Sequence, residues 1–285
     1  MNPYKILKPI GQGGFKSVYL IKNQGKQEAL KVISLSDRRI LDPVEQEQLA
    51  NELRARSVRE FQLLERFGGG CVVSLGSISG HEEDFEGHPS YVYSEELLPG
   101  NPLDVVIRNA NSAQPNFAET KKLFLSGVDV IERLWKEKIV HRDIKPQNIM
   151  ATDLPDRPFV FFDLGIAFDV EGSSLTHATF GPGTLRYRAP ETLDRDYRAT
   201  IDFRSDLFSL AATVFEFATG RHPIHHGSMS EGETVYRLLK KTADALAPLR
   251  PDFPPNFCDL VDRCLRKRPA LRPTRLQELK QSLEA

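Results

Sequence analysis

The hydrophobic pattern changes its period once along the chain, and that change limits the fold more than any other feature. Residues 4 to 35 contain three short runs, YKILKPI, SVYLIKN and EALKVI, in which apolar and polar positions alternate, separated by a glycine loop and by NQGKQ. Such alternation predicts an antiparallel meander. Asp42, Pro43 and Glu45 then make a helix start, with Asp as N-cap, Pro at the first helical position and Glu reaching back as in a capping box. Beyond it Leu49, Leu53, Arg56, Glu60 and Leu64 recur at steps of three or four, which sets one carboxylate, Glu60, among leucines. An unpaired buried charge is costly, so Glu60 requires a cationic partner. After FGGG at 67–70, CVVSLGSI and YVYSEEL read as two further strands around an exposed acidic loop, HEEDFEGHPS. Past LLPGNPL the period lengthens. Asn116 and Glu119 form a capping signature ahead of an apolar stripe holding Leu123, Ile131, Leu134 and Trp135. The expectation is an α+β chain: a five-stranded antiparallel sheet with one helix over 1–98, then a larger, mainly helical part over 99–285.

Composition excludes several functions. Lys+Arg 38 against Asp+Glu 39 leaves a net charge of -1, so no global field draws the chain to nucleic acid or an anionic membrane. Cys71, Cys258 and Cys264 are an odd number without CxxC spacing, which argues against a disulfide framework or zinc site and suits a reducing compartment. MNPYKILKPI lacks a signal-peptide apolar run, and no window has the length of a membrane span; the expected location is cytoplasmic. HPIHH, with His222, His225 and His226, fits no usual metal-ligand spacing. In the basic stretch RCLRKRPALRPTR one arginine, Arg272, has a structural role and the rest reads as a solvated face.

Chemistry concentrates in HRDIKPQN, His141 to Asn148, and in Asp163, which closes the buried run FVFF fifteen residues later. Acidic and amide oxygens there can converge on Mg²⁺, a hard cation that prefers oxygen ligands. GQGGFKSVYL, Gly11 to Leu20, places Gly11 and Gly13 between two strands, where backbone N–H groups can approach phosphates; Lys16 stands where a third glycine is expected.

Taken in order, these stretches resemble the eukaryotic-type protein kinase family, and Lys145 in RDIKPQN favours its serine/threonine branch. The resemblance covers nearly the whole sequence. It includes GQGGFKSV, the AxK at Ala29 to Lys31, Glu60, DLG at 163–165, GTLRYRAPE at 183–191, SDLFSLA at 205–211 and LRKRPALRPT at 265–274. It implies a single two-lobed kinase domain over 1–285 that uses ATP and Mg²⁺, with Mn²⁺ as a substitute, to phosphorylate serine or threonine on a protein. Lys31 would contact the α and β phosphates and pair with Glu60. Asp143 would orient the acceptor hydroxyl and take its proton, with Lys145 near the transferred phosphate. Asn148 and Asp163 would hold magnesium. Gly11, Gly13, Gly14, Val18, Ala29 and Lys31 would line the nucleotide, with Glu96 to Leu98 as hinge. Glu191 and Arg272 match a structural ion pair, and Asp206 a carboxylate that holds the catalytic loop. Arg142 would receive a phosphate on Ser173, Ser174, Thr176 or Thr179; Thr184 matches a residue that faces the catalytic Asp and Lys.

Three departures stand out: Lys16, Leu164 in place of the usual phenylalanine, and Glu95 at the back of the adenine pocket, where a buried carboxylate is unusual. Two rival readings are a pseudokinase scaffold, supported only by Lys16, and a small-molecule kinase, opposed by Lys145 and GTLRYRAPE. No nucleic-acid or membrane partner is expected, and the chain is expected to be a monomer or transient dimer. Residues 36–58 read as a solvated helix extension, with a partner surface as the alternative.

Overall fold

The computed structural model describes residues 4–37, 39–110, 114–164, 168–169, 185–194, 201–227 and 229–284. It divides into two compact units, one ending at Pro99 and the other beginning at Gly100.

In the first unit, β1 (Lys5–Gln12), β2 (Lys16–Asn23), β3 (Lys26–Ser34), β4 (His81–Phe85) and β5 (His88–Glu96) form one antiparallel sheet in the order β1-β2-β3-β5-β4. Register decides which side chains share a face, because successive residues point to opposite sides of a strand. Leu30 lies opposite Tyr19 and Ser94, and Val32 opposite Val92. On this side Ile21, Leu30, Val32 and Val92 form a core with Tyr4, Ile78 and Phe85. The other side carries Lys16, Val18, Ala29, Lys31, Tyr93 and Glu95, since Lys31 pairs with Val18 and Tyr93, Ala29 with Glu95, and Lys16 with Ile33. Helix α1 (Pro43–Phe67) covers that charged side, with Phe61 edge-on to Tyr93 at 5.8 Å. Asp42 caps α1 by accepting from the N–H groups of Val44 and Glu45 at 2.8 and 3.0 Å. The first two turns of α1 are largely exposed, as are Leu41 and Val44.

One strand lies elsewhere than expected. HEEDF, read as an acidic loop, is β4, and CVVSLGSI is irregular chain with only isolated bridges, Gly69 to Val72 and Leu75 to Glu95. Two local causes account for this. Glu86 (φ 52°) and Gly87 (φ 82°) make the two-residue turn, with both central residues left-handed, that suits a tight hairpin. A charged sequence also suits an edge strand, whose open ladder must resist pairing with other chains. Meanwhile the N–H groups of CVVSLGSI find side-chain acceptors instead of a ladder: Ser74 donates to Glu96 Oε1 at 2.7 Å, Ser77 to Glu28 Oε2 at 3.0 Å and Ile78 to Ser94 Oγ at 2.8 Å. Its apolar residues Val72, Val73 and Ile78 are buried without being in a strand.

The second unit contains β6 (Gly100–Pro102), α2 (Leu103–Asn109), α3 (Phe117–Trp135), β7 (Ile139–Val140), β8 (Ile149–Thr152), β9 (Phe159–Phe161), α4 (Phe203–Thr219), α5 (Glu231–Lys240), α6 (Pro255–Cys264) and α7 (Leu276–Glu284). The expected capping box on α3 forms, with Asn116 N–H donating to Glu119 and Glu119 N–H to Asn116. α4 is buried along nearly its whole length and crosses α3 closely: a Cβ at Gly127 would stand 2.3 Å from Leu210 Cδ1. Among the described residues no helix is long and apolar enough to cross a membrane.

Buried polar groups contribute to the stability of this unit. Arg272, fully buried, makes a two-pronged contact with Glu191 at 2.6 and 2.8 Å and donates to the carbonyls of Arg204, Arg266 and Lys267. Breaking such a pair leaves a buried charge uncompensated. Arg272→Ala is therefore expected to lower unfolding free energy by about 3–5 kcal/mol, read by urea titration, whereas a loss below about 1 kcal/mol would show a surface-like pair.

Of the histidines of HPIHH, His222 and His225 are buried while His226 is exposed beside Asp244, and among the described residues no cluster of three or more His, Cys, Asp or Glu could hold a metal ion. His222 Nδ1 accepts from the N–H groups of Ile224 and His225 at 3.1 and 3.2 Å, and the His225 ring packs against it at 4.9 Å. Burial, then the charge of Arg186, brings the His225 pKa from 6.5 down to about 4. Between those values the unfolded chain takes up a proton that the folded one refuses, so this contribution to stability is present above pH 6.5 and is lost as pH falls toward 4. His225→Phe, which keeps the ring contact and removes the titration, is expected to flatten the fall in melting temperature between pH 6.5 and 4. An unchanged slope would count against a neutral buried imidazole.

Candidate active site

In the first unit, alternation along β3 brings Ala29 and Lys31 to the α1 side of the sheet. The helical spacing of α1 delivers Glu60 to the same side, buried as its place among leucines requires. Lys31 Nζ lies 3.2 Å from Glu60 Oε1, the pairing expected from the sequence. Two further contacts were not foreseen. Glu95 is buried and its Oε1 is 2.5 Å from Lys31 Nζ, while Lys16 Nζ is 3.2 Å from each oxygen of Glu60. Burial pushes the Glu95 carboxyl up, with Lys31 pulling the other way. Both residues were visible in the sequence as departures from a family pattern. Their shared partners were not.

The glycine loop joins β1 to β2, closed by Gly13 N–H donating to Lys16 O at 2.7 Å. None of Gly11, Gly13 and Gly14 has a left-handed φ; a Cβ at Gly14 would meet nothing within 4 Å, while one at Gly11 would touch Val18 at 3.5 Å and one at Gly13 the Lys16 carbonyl at 3.4 Å, so Gly14 leaves space open and none of the three relieves backbone strain. Val18 and Ala29 lie on the same face of the sheet as Lys31. At the end of β5, Glu96 Oε1 accepts from Ser74 N–H and Glu96 N–H donates to Ser74 O at 3.0 Å; Leu98 is half-buried beyond it.

In the second unit, the loop between β7 and β8 carries Asp143, Lys145 and Asn148. Lys145 Nζ donates to both Asp143 oxygens at 2.9 and 2.8 Å, and Asn148 Nδ2 donates to Asp143 Oδ2 at 2.8 Å and to its carbonyl at 3.0 Å. Burial raises the Asp143 pKa, opposed by Lys145 and reinforced by the charge of Asp163. The backbone of this loop is held by Asp206 of α4, whose oxygens accept from the N–H groups of His141 and Arg142 at 2.7 and 2.9 Å. Arg142 and Asp163 both adopt left-handed φ of 68°, a conformation that costs non-glycine residues on the order of 1 kcal/mol or more and persists where surroundings enforce it. Pairing of β8 with β9, extended by Phe162 N–H donating to Asn148 O at 3.0 Å, sets Asp163 beside Asn148.

The donor set suits Mg²⁺. The Asn148 amide turns its N–H₂ toward Asp143, which leaves Oδ1 as its remaining donor to a cation, and Asp163 adds a carboxylate: hard oxygens of the kind this ion prefers. Arg142 and Arg188 line a small cavity with Thr192, Ser205 and Asp206. Ser173, Ser174, Thr176, Thr179, Thr184 and Gly165 lie outside the described residues.

A five-stranded sheet with one long helix, followed by a helical unit bearing this loop, defines an α+β protein of the kinase type. The protein kinase domain profile matches residues 4–283, and the chain belongs to that family. Relatives include the probable serine/threonine-protein kinase PkwA of Thermomonospora curvata, 27% identical over 281 residues that cover 99% of this chain and 34% of that protein. Serine/threonine-protein kinase PknH of Mycobacterium tuberculosis is 26% identical over 269 residues, 94% of this chain and 39% of the relative. Serine/threonine-protein kinase PrkC of Bacillus subtilis is 28% identical over 284 residues, 99% and 39%. The chain thus spans from about a third to two fifths of these relatives.

Proposed function

We propose that the chain transfers the γ-phosphate of Mg-ATP to serine or threonine hydroxyls of proteins. The observation that carries this reading is the setting of Asp143, a half-buried carboxylate whose orientation is fixed by Lys145 and Asn148 and whose raised pKa favours accepting a proton.

Phosphoryl transfer is mainly positioning and charge neutralisation. Lys31, braced by Glu60, would hold the α and β phosphates, and the open glycine loop would let backbone N–H groups approach them. Asn148 Oδ1 and the Asp163 carboxylate would hold Mg²⁺, which when bound neutralises phosphate charge. Asp143 would orient the acceptor hydroxyl; as its oxygen bonds to the γ-phosphorus and the bond to the β-phosphate oxygen breaks, the hydroxyl proton passes to Asp143. Lys145, on the same carboxylate, is placed to offset charge on the moving phosphoryl group. The exposed start of α1, with Leu41 and Val44, is proposed as a partner-binding surface.

The test is transfer from labelled ATP to protein substrates, with the modified residues mapped by mass spectrometry. Asp143→Asn is expected to cut turnover about 10²- to 10⁴-fold while Mg-ATP still binds; unchanged turnover would remove Asp143 from the chemistry. Wild-type protein that binds Mg-ATP without transferring phosphate would mark a pseudokinase. Arg142, beside Arg188, would receive a phosphate from the segment between Asp163 and Glu191. Alanine at Ser173, Ser174, Thr176 and Thr179 together is expected to lower activity of protein phosphorylated by an upstream kinase, and equal activity would exclude that switch.

A further inference from the structure

The core side of the first unit's sheet ends in a polar groove of about 510 Å³, a size usual for ligand sites. Asn23 and Glu28 line it and alternate in step with Ile21 and Leu30, so it lies on the face opposite Ala29 and Lys31. Its wall is mainly of one sign. Glu28, 6% exposed, stands directly opposite Glu96 across β3 and β5, and like charges so placed repel. The Glu28 carboxylate accepts from Ser94 Oγ at 2.6 Å, from Ser77 N–H at 3.0 Å and from the Ser77 side chain. Burial works to raise the Glu28 pKa and these bonds outweigh it, so the carboxyl lies below its usual range and stays ionised. With its hydroxyl proton given to Glu28, Ser77 Oγ accepts from Asn23 Nδ2 at 2.7 Å, which fixes the amide and turns Asn23 Oδ1 elsewhere. That oxygen is buried and has no hydrogen-bond partner among the described residues. An unanswered carbonyl dipole in a poorly hydrated wall adds to the negative field. Lys26 is the one lining cation among the described residues; it is exposed and acts on Glu28 through space.

The same groove offers main-chain groups. The two-residue turn Gln24–Gly25, with φ of 46° and 86°, makes Asn23 and Lys26 the closing hydrogen-bonded pair, so the N–H and C=O of Gln27 face away from β2. β5 ends at Glu96, opposite Glu28, and among the described residues no backbone group pairs with Gln27 on that edge. Leu97, 37% exposed, supplies an apolar strip beside it.

We infer that this groove receives an arginine carried on an extended polypeptide segment of a partner protein. The guanidinium answers the ionised Glu28 and the negative wall with several N–H donors in one plane, its aliphatic stem lies along Leu97, and the segment's backbone bonds to Gln27. A phosphate or carboxylate group is refused by the sign of the wall. A free organic cation would use Glu28 and leave Gln27 and Leu97 unused. Asn23, Gln27 and Glu28 lie outside the residues assigned to nucleotide and catalysis, so the inference stands or falls apart from phosphoryl transfer.

The test titrates the full chain with the capped peptide Ala-Ala-Arg-Ala-Ala and follows the backbone amide resonances of Gln27 and Ser77 by NMR. Counterparts with lysine, alanine or glutamate at the centre, and ethylguanidine alone, are run alongside. The arginine peptide is expected to shift both amides saturably and to bind about threefold or more tighter than the lysine peptide, while the glutamate peptide shifts neither. E28Q, which keeps an acceptor for Ser94 and Ser77, is expected to raise the Kd about tenfold. K26M, at an exposed position, is expected to lower it about two- to threefold. Should a melting curve show E28Q unfolded, the K26M result decides. No shift at about 10 mM peptide, equal shifts with the alanine peptide, or a Kd unmoved by K26M and by folded E28Q overturns the inference. Ethylguanidine binding as tightly as the arginine peptide overturns the polypeptide partner and leaves a site for a small organic cation.

Discussion

The loop that carries Asp143, Lys145 and Asn148 has almost no regular structure, and Asp206 is what makes it behave as though it had. One buried carboxylate accepts from two consecutive backbone N–H groups, and in doing so fixes Arg142 in a left-handed conformation that a non-glycine residue adopts at a cost. Burial pushes the Asp206 carboxyl up, against the pull of His141 and Arg142. The carboxylate is rigid because α4 is rigid, packed along its length and crossed closely by α3 at Gly127. Arg272 then ties the first turn of α4, through the Arg204 carbonyl, to Glu191. The orientation of Asp143 is thus the last link in a series of buried polar contacts, each anchored in apolar packing.

Much of this was legible in the sequence because it depends on short-range rules. Helical spacing put Glu60 among leucines, and the cost of a lone buried charge demanded the lysine that the structure supplies. The caps at Asp42 and Asn116 followed from one residue type at one position. The fourth strand failed because its cause is not in its own residues. His81 to Phe85 has a single buried apolar side chain, and its pairing comes from β5 and from the Glu86–Gly87 turn. CVVSLGSI misled in the opposite sense: its valines signal burial, and burial does not require a ladder when Glu28, Ser94 and Glu96 accept the backbone N–H groups.

The site shows the same division. Asp143, Lys145 and Asn148 are close in sequence, so their convergence needs only one loop. The contacts of Lys16 and Glu95 need the register of β2 on β3 on β5 and the placement of α1 above them. No window of the chain contains all of these elements.

Shared partners of this kind have an evolutionary signature. When two positions contribute opposite charges to one buried cluster, neither drifts freely, because each single change shifts the charge of a place with little water to screen it. Lys16 and Glu95, which meet through Glu60 and Lys31, are then expected to change together. Chains descended from a common ancestor should gain or lose the two together, with few surviving intermediates. Counted as two independent deviations from the family they suggest a decaying enzyme, and counted as one joint substitution they describe an alternative way of arranging the same charges.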